Sequence, residues 1–346
     1  MVKIKDKNIG DNYKTFIIAE IGLSHEGSFG IATSMIDQAA ICGVDAVKFQ
    51  MHIAEEESSK YEKFRKKIFY QDNSRYDYWK RTSFTVKQWI KLKNYSEKKN
   101  LIFLCSPFSI KAVILLKELN IDAWKIASGE FNNLLLIDKI TEISNKPLIL
   151  STGLTFDLEI KKILSYIKKK QKKVILLQCT SKYPTNLIDV GHKLIHTFKK
   201  NYKICAGISD HSGNLNSLLS AVALRANVIE THVCFDKNYF GPDTSSSITF
   251  NELKFLTQFS SDFYYINKNG IKDKKLKNNQ KKLRKIFLKG LAFKEAVKKN
   301  QIIKKKDIKD VKPLKGISAY NYKSIIGKKI NKDYPKNHII TKKNII

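Results

Sequence analysis

An α/β fold is what this sequence predicts: a (β/α)8 TIM barrel followed by a small β-rich domain. Three observations carry that reading. Short apolar or β-branched runs alternate eight times with amphipathic stretches of roughly a dozen residues. Nearly every run ends in groups that can bind an anion or carry a proton. Beyond about residue 285 the alternation stops, and a Lys- and Ile-rich pattern appears twice. The eight runs are Phe16–Glu20, Asp45–Gln50, Leu101–Phe108, Ala123–Ser128, Pro147–Gly153, Val174–Ser181, Ile204–His211 and Val228–Val233. An open doubly wound sheet is the alternative, but no Gly-x-Gly-x-x-Gly follows the first run. Eight strands with eight helical connections in about 250 residues match the closed barrel better.

The connecting segments open on residues suited to capping a helix. Ser28 precedes Phe29–Cys42, Thr85 precedes Val86–Lys99, Ser109 precedes Ile110–Leu119, and Asn133 precedes Leu134–Ser144. Asp157 opens Leu158–Lys170, and Asn214 precedes Leu215–Ala226. The sixth, Asn186–Phe198, is the poorest, with Gly191 inside it. The last starts at Thr249 or Asn251 and runs to about Tyr265.

Two insertions depart from a plain barrel. The segment 52–84 mixes acidic, basic and aromatic residues (Tyr70, Tyr76, Tyr78, Trp79) and reads as a lid over the strand ends. The shorter segment 236–247 carries Gly241-Pro242-Asp243. The expected organisation is a barrel over 1–266, a lysine-rich linker over 267–284 and a small domain over 285–346. In that last part Lys299-Asn300-Gln301-Ile302-Ile303 returns as Lys336-Asn337-His338-Ile339-Ile340. Asparagine tolerates the left-handed turn conformation, so each copy predicts a turn followed by a strand.

Composition narrows the functional classes. The chain has 346 residues and is 42% hydrophobic, with no apolar stretch near the ~20 residues of a membrane span. Met1 to Lys14 is polar and lacks the apolar core of a secretory signal, so a cytoplasmic protein is expected. The five cysteines form no Cys-x-x-Cys pair and read as small core residues. The net charge of +32 favours anionic partners. Its lysines crowd helix faces and the linker, including Lys272 to Lys285, rather than one aromatic-lined groove. Arginine is scarce, so nucleic acid is not the expected partner.

The active site of such a barrel lies at the C-terminal ends of its strands. Those ends carry Glu20; Lys48 and Gln50; Ser106; Lys125, Ser128 and Glu130; Ser151 and Thr152; Thr180, Ser181 and Tyr183; Asp210 and His211; and Glu230 and His232. Two lysines beside hydroxyls form a cradle for phosphate and carboxylate. His211 and His232 end neighbouring strands and can approach one cation, which suits a divalent metal with open positions. Glu230, two residues before His232, faces the same way and can orient a ligand or water. Glu20 and Asp243 are candidate proton-transfer or hydroxyl-binding carboxylates. A Schiff-base aldolase is the rival reading, with Lys125 or Lys48 as nucleophile.

Several of these stretches resemble the N-acetylneuraminate (sialic acid) synthase family. They are Ala19-Glu20-Ile21-Gly22-Leu23-Ser24-His25-Glu26-Gly27-Ser28, Val47-Lys48-Phe49-Gln50, Ser106-Pro107-Phe108 and Lys125-Ile126-Ala127-Ser128-Gly129-Glu130. Leu150-Ser151-Thr152-Gly153, Cys179-Thr180-Ser181-Lys182-Tyr183-Pro184-Thr185, Ile208-Ser209-Asp210-His211, Glu230-Thr231-His232 and Gly241-Pro242-Asp243 continue the match in family order. The tail resembles that family's antifreeze-like (SAF) domain.

The resemblance implies a synthase that joins phosphoenolpyruvate to an open-chain N-acetylated hexosamine with a divalent metal (Mn, or Mg or Co). It also implies a homodimer in which each tail covers the partner's site. Legionaminic and pseudaminic acid synthases share these motifs. His211 and His232 resemble the metal ligands. Lys48, Ser106, Lys125, Ser128, Ser151, Ser181 and Ser209 resemble the phosphoenolpyruvate shell. Gln50, Glu130, Tyr183 and Asp243 resemble sugar or intermediate contacts, and Glu20 an acid/base group. The tail's usual arginine is replaced by Lys312, which lacks a bidentate fork.

Overall fold

The computed structural model describes residues 1–59, 61–64, 71–170, 173–271 and 273–346, so Tyr70 and Lys272 lie outside the described residues. The chain forms two compact units, Met1–Gly270 and Ile271–Ile346.

The first unit opens on an antiparallel hairpin, β1 (Val2–Ile4) and β2 (Lys7–Ile9), which the sequence reading passed over as a polar terminus. Its three apolar side chains, Val2, Ile4 and Ile9, are buried. Then come β3 (Phe16–Gly22), α1 (Phe29–Cys42) and β4 (Ala46–Met51). Among the described residues of the first insertion lie two short helices, α2 (Ala54–Glu57) and α3 (Arg75–Thr82). The alternation resumes with α4 (Val86–Lys98), β5 (Ile102–Pro107), α5 (Ile110–Glu118), β6 (Trp124–Ile126) and α6 (Leu134–Ile143). It continues through β7 (Leu148–Ser151), α7 (Asp157–Lys169), β8 (Val174–Cys179), α8 (Lys193–Tyr202), β9 (Cys205–Asp210), α9 (Leu215–Ala223) and β10 (Val228–Cys234). A short β11 (Ser247–Thr249) pairs with β10, and α10 (Phe250–Asn269) closes the unit.

The eight strands β3 to β10 run parallel in the spatial order β5-β4-β3-β10-β9-β8-β7-β6, and β5 lies beside β6, so the sheet curls into a nearly closed barrel. Ser28, Thr85, Ser109, Asn133, Asn214 and Thr249 all cap the helices that follow them. The sixth connection differs from expectation. Gly191, with φ of +76°, splits it into a short 3-10 turn over Leu187–Asp189 and a helix that begins only at Lys193.

Side chains alternate in and out along each strand, which layers the barrel interior. Phe16, Ile18, Ala46, Leu104, Ile149, Ile175, Leu177 and Val228 form an apolar lower layer, and the hairpin's Val2, Ile4 and Ile9 plug it from below. One step up, in the same alternation, stand Glu20, Lys48, Ser106, Lys125, Ser151, Cys179, Ser209 and Glu230. A polar floor therefore rests on a dry base. Gly207 is the gap in this pattern because a Cβ there would lie 1.8 Å from the Val228 carbonyl oxygen.

The second unit begins within the segment read as a linker. α10 uses part of that segment, and α11 (Asn278–Phe287) occupies more of it. Leu283, Ile286 and Phe287 stand at helical spacing inside the lysine run, a period too short to notice among so many charges. Beyond it β12 (Gly290–Phe293) pairs antiparallel with β13 (Ile308–Val311) over a small core that includes Phe293, Ile303, Ile330 and Ile340. The echoed copies follow one course. Asn300 and Asn337 take left-handed φ values of +66° and +69°, Ile303 and Ile340 are buried, and each copy ends in a 3-10 turn. Isolated bridges stand where strands were expected.

Candidate active site

A cavity of about 350 Å³ opens at the C-terminal ends of the barrel strands. Strand register assembles it. Glu20 lies opposite Lys48 on one side and His232 on the other, Gln50 lies opposite Ser106, and Cys179 opposite Ser209. Of the candidates named from sequence, Glu20, Lys48, Gln50, Ser106, Lys125, Ser128, Ser151, Ser181, Tyr183, Ser209, His211, His232 and Asp243 all line it.

Two do not. Glu130 ends a 3-10 turn, and its carboxylate turns toward Asn133, accepting a 2.7 Å hydrogen bond from that side chain. Burial and the nearby Glu57 raise its pKa. Lys312 belongs to the second unit, where its ammonium lies 5.8 Å from the Phe287 ring.

The floor is a network of buried charge. Lys48 and Lys125 are 3% and 2% exposed. Lys48 Nζ lies 2.8 Å from Glu20 Oε2 and 3.8 Å from Glu230 Oε1, while Lys125 Nζ lies 3.4 Å from that same Glu230 oxygen. Lys48 donates to Ser106 Oγ at 3.2 Å, Ser209 to Glu230 Oε1 at 3.0 Å and Gln50 to Glu20 Oε1 at 2.7 Å. Two ammoniums and two carboxylates compensate one another, which makes their desolvation tolerable.

The network does not hold its members equally. Burial is the largest influence on each and opposes every charge. For Glu20 it prevails, and the carboxyl's pKa is raised. For Glu230 the two lysines prevail and lower it. Lys48, facing both acids, is raised, whereas burial lowers Lys125 despite Glu230.

The imidazoles of His211 and His232 line the same cavity, with ring centroids 5.4 Å apart. Tyr183 stacks on His211, its hydroxyl 3.2 Å from Nε2. His211 Nδ1 faces the Thr180 carbonyl at 3.1 Å and Cys179 Sγ at 3.7 Å. Burial disfavours the charged ring there, but Cys179 and that carbonyl carry its pKa up to about 9. His232 goes the other way, and burial lowers it to about 4. Its Nδ1 is buried without a hydrogen-bond partner among the described residues, and Asp243 Oδ2 is 4.0 Å away.

These groups fit a divalent cation as two imidazole donors with a carboxylate close by. A neutral His232 suits coordination, and cation binding at His211 would displace a proton. The described residues hold no cluster of three or more His, Cys, Asp or Glu arranged for a metal, so substrate or water would complete the shell. Ser151 Oγ and Glu230 Oε2 also line the cavity, buried without hydrogen-bond partners among the described residues. Buried polar atoms are rarely left so, and these mark where a ligand's groups would go.

Sequence reasoning assigned Tyr78 and Trp79 to a lid over the strand ends but missed His52 and Arg75 as part of the wall. His52 stacks between Trp79 and Phe108 at centroid distances of 3.8 and 4.1 Å, and all three line the cavity with Arg75 and Tyr78. The signal was present, since His52 continues the alternation of Lys48 and Gln50. Cys179, read as a core residue, lines the cavity too, and parity with Ser181 and Tyr183 could have placed it there. Gly153 keeps the hydroxyl cradle open: a Cβ would fall 2.3 Å from Ser181 Oγ and 2.8 Å from Ser128 Oγ.

Fold and site together are those of a TIM-barrel enzyme with a cationic, hydroxyl-lined mouth beside an imidazole pair. The chain belongs to the NeuB family, the sialic acid synthases, whose sequence pattern matches residues 35–272. It is 35% identical over 333 residues to N,N'-diacetyllegionaminic acid synthase of Campylobacter jejuni, covering 94% of this chain and 99% of that protein. To a pseudaminic acid synthase of Campylobacter jejuni it is 30% identical over 331 residues, covering 94% and 95%. Among solved structures, the N-acetylneuraminic acid synthetase of Leptospira borgpetersenii in complex with citrate aligns with a TM-score of 0.70 at 33% identity. That alignment covers 82% of this chain and 94% of that one.

Proposed function

We propose that the chain condenses phosphoenolpyruvate with an open-chain N-acetylated hexosamine, giving a nonulosonic acid and inorganic phosphate, with a divalent metal such as Mn. One observation carries this reading: two buried lysines share Glu230 on a hydroxyl-lined floor, with paired imidazoles in the same cavity. Phosphate and carboxylate sit against Lys48 and Lys125, with Ser106, Ser128, Ser151, Ser181 and Ser209 as donors. A metal held by His211 and His232 would supply Lewis-acid polarisation of the sugar aldehyde.

The enol carbon attacks that aldehyde, water adds at the former enol-phosphate carbon, and the C–O bond to phosphate breaks. Glu20, whose pKa burial raises, exchanges a proton with the reacting oxygens. The lysines steady the departing phosphate. Gln50, Tyr183 and Asp243 orient the sugar. The relatives favour a diacetamido 6-deoxy hexosamine of the legionaminate type, and the aromatic wall of His52, Trp79 and Phe108 suits its methyl and acetyl groups. The resemblance to the antifreeze-like tail extends the proposal to a homodimer in which the tail, with Lys312, serves the second copy.

The lowered pKa of Lys125 favours one rival, a Schiff-base aldolase. Both are tested by measuring phosphate release from phosphoenolpyruvate across a panel of hexosamines, before and after chelation and Mn replacement, with the acid product identified. The condensation is expected to require metal and to give no borohydride-trapped lysine. Metal-independent turnover with a trapped lysine would establish the aldolase instead.

A further inference from the structure

A second cavity, of about 330 Å³, lies in the first unit at the opposite, N-terminal end of the barrel strands. It is enclosed by residues 10–15 leading into β3, the turn 225–227 leading into β10, and the C-terminal half of α10. No step of the condensation uses it. Three of its features point to a ligand.

The first is charge. Arg225, Lys14 and Lys268 line it, and none of them makes a contact ion pair with a carboxylate among the described residues. Asp11, the acid at its edge, is already taken by Lys199 at 2.5 Å and by Asn227 Nδ2 at 2.9 Å. Arg225 is one of only five arginines in a chain that otherwise uses lysine. An arginine fork binds phosphate in two-pronged fashion, which a lysine cannot do. Its backbone is pinned, because Lys199 Nζ donates to the Arg225 carbonyl at 2.6 Å.

The second is aromatic surface, from Tyr13, Phe263 and Tyr264. The third is an orphan hydroxyl. Ser260 is 1% exposed, and its Oγ has no hydrogen-bond partner among the described residues. Its neighbour Ser261 donates to the Thr257 carbonyl at 3.0 Å, as a helical serine ordinarily does. A hydroxyl buried this deeply is almost always paired, and Ser260 has the cavity in front of it.

We propose that this cavity is a second ligand site that takes a nucleoside monophosphate. The phosphate sits against Arg225 with support from Lys14 and Lys268, the base against the aromatic rings, and a ligand hydroxyl or ring nitrogen on Ser260. A bare phosphate would leave the rings unused, and a neutral sugar would leave three cations without an anion, since among the described residues Lys268 donates only to the Tyr264 hydroxyl at 3.0 Å and Arg225 only to Asn267 Oδ1 at 3.4 Å. A flat ring joined to a phosphate uses both. The volume is at the small end of the roughly 300–1,000 Å³ of ligand sites, enough for a mononucleotide and not a dinucleotide.

The test is calorimetric titration of the full chain with the four common ribonucleoside 5′-monophosphates at physiological ionic strength, with inorganic phosphate and uridine as partial probes. Arg225→Asn removes the fork while keeping a residue that tolerates the local left-handed φ of +59°. Lys161→Ala, on α7, removes one charge elsewhere on the basic surface. At least one nucleotide is expected to bind about tenfold or more tighter than phosphate or uridine, to lose about tenfold in Arg225→Asn and to be unchanged in Lys161→Ala. Equal binding of phosphate and nucleotide, equal loss in both variants, or no nucleotide binding would each overturn the proposal. Phosphate release from phosphoenolpyruvate, expected at the same basal rate in Arg225→Asn, keeps this result separate from the fate of the catalytic reading.

Discussion

At the scale of single residues, Glu230 is the pivot of the site, since one of its oxygens faces both buried lysines. Glu230→Gln removes the charge and keeps the shape, leaving two ammoniums to share Glu20 alone. Breaking a buried pair this way costs about 3–5 kcal/mol. The variant is therefore expected to melt earlier in a thermal scan and to release little phosphate. His211→Ala and His232→Ala should instead abolish phosphate release while leaving the circular-dichroism melt near that of the parent. Near-parental turnover in both would remove the metal assignment.

His25, outside the cavity, gives a pH test. Burial is the main cause holding its pKa down, to about 3, against 6.5 in an unfolded chain. Between those values the unfolded chain takes up a proton that the folded one refuses, so stability falls as pH drops through that window, by about 1.4 kcal/mol per unit. Denaturant midpoints measured from pH 7 to 4 should decline less steeply in His25→Asn than in the parent.

At the scale of elements, the terminal hairpin β1–β2 acts as the floor plug of the barrel. Ile4 is fully buried against the lower apolar layer, and Ile4→Ala should cost about 2–5 kcal/mol in urea unfolding. The phosphoenolpyruvate affinity of the folded fraction should not change, because the polar floor lies a layer above. Gly207 is the corresponding constraint between β9 and β10. The element pattern itself was legible in sequence, since caps and alternation located the strands and nearly all the helices around them. The hairpin was not, because three apolar residues among lysines and asparagines carry no periodicity. Only the open barrel end gives them something to cover.

At the scale of the whole molecule, each unit carries its own core, so removing residues 285–346 should leave the first unit folded. Deletion is expected to impair sugar use far more than phosphoenolpyruvate binding, as read from separate KM values. A truncated chain working at full rate would exclude a role for the tail in the site. Among the described residues no helix is long and apolar enough to cross a membrane.

What the sequence determined by itself was the barrel, the family and most of the polar mouth, because alternation along eight strands sorts inward from outward side chains and the motifs sit at the strand ends. Tertiary structure alone decided how those residues divide the work. Register sets Glu230 between two lysines, a 3-10 turn swings Glu130 away, and burial prevails at Glu20 while the two lysines prevail at Glu230, so two carboxyls of the same kind shift in opposite directions. Such outcomes depend on distance and dielectric among residues far apart in the chain, and no local pattern encodes either.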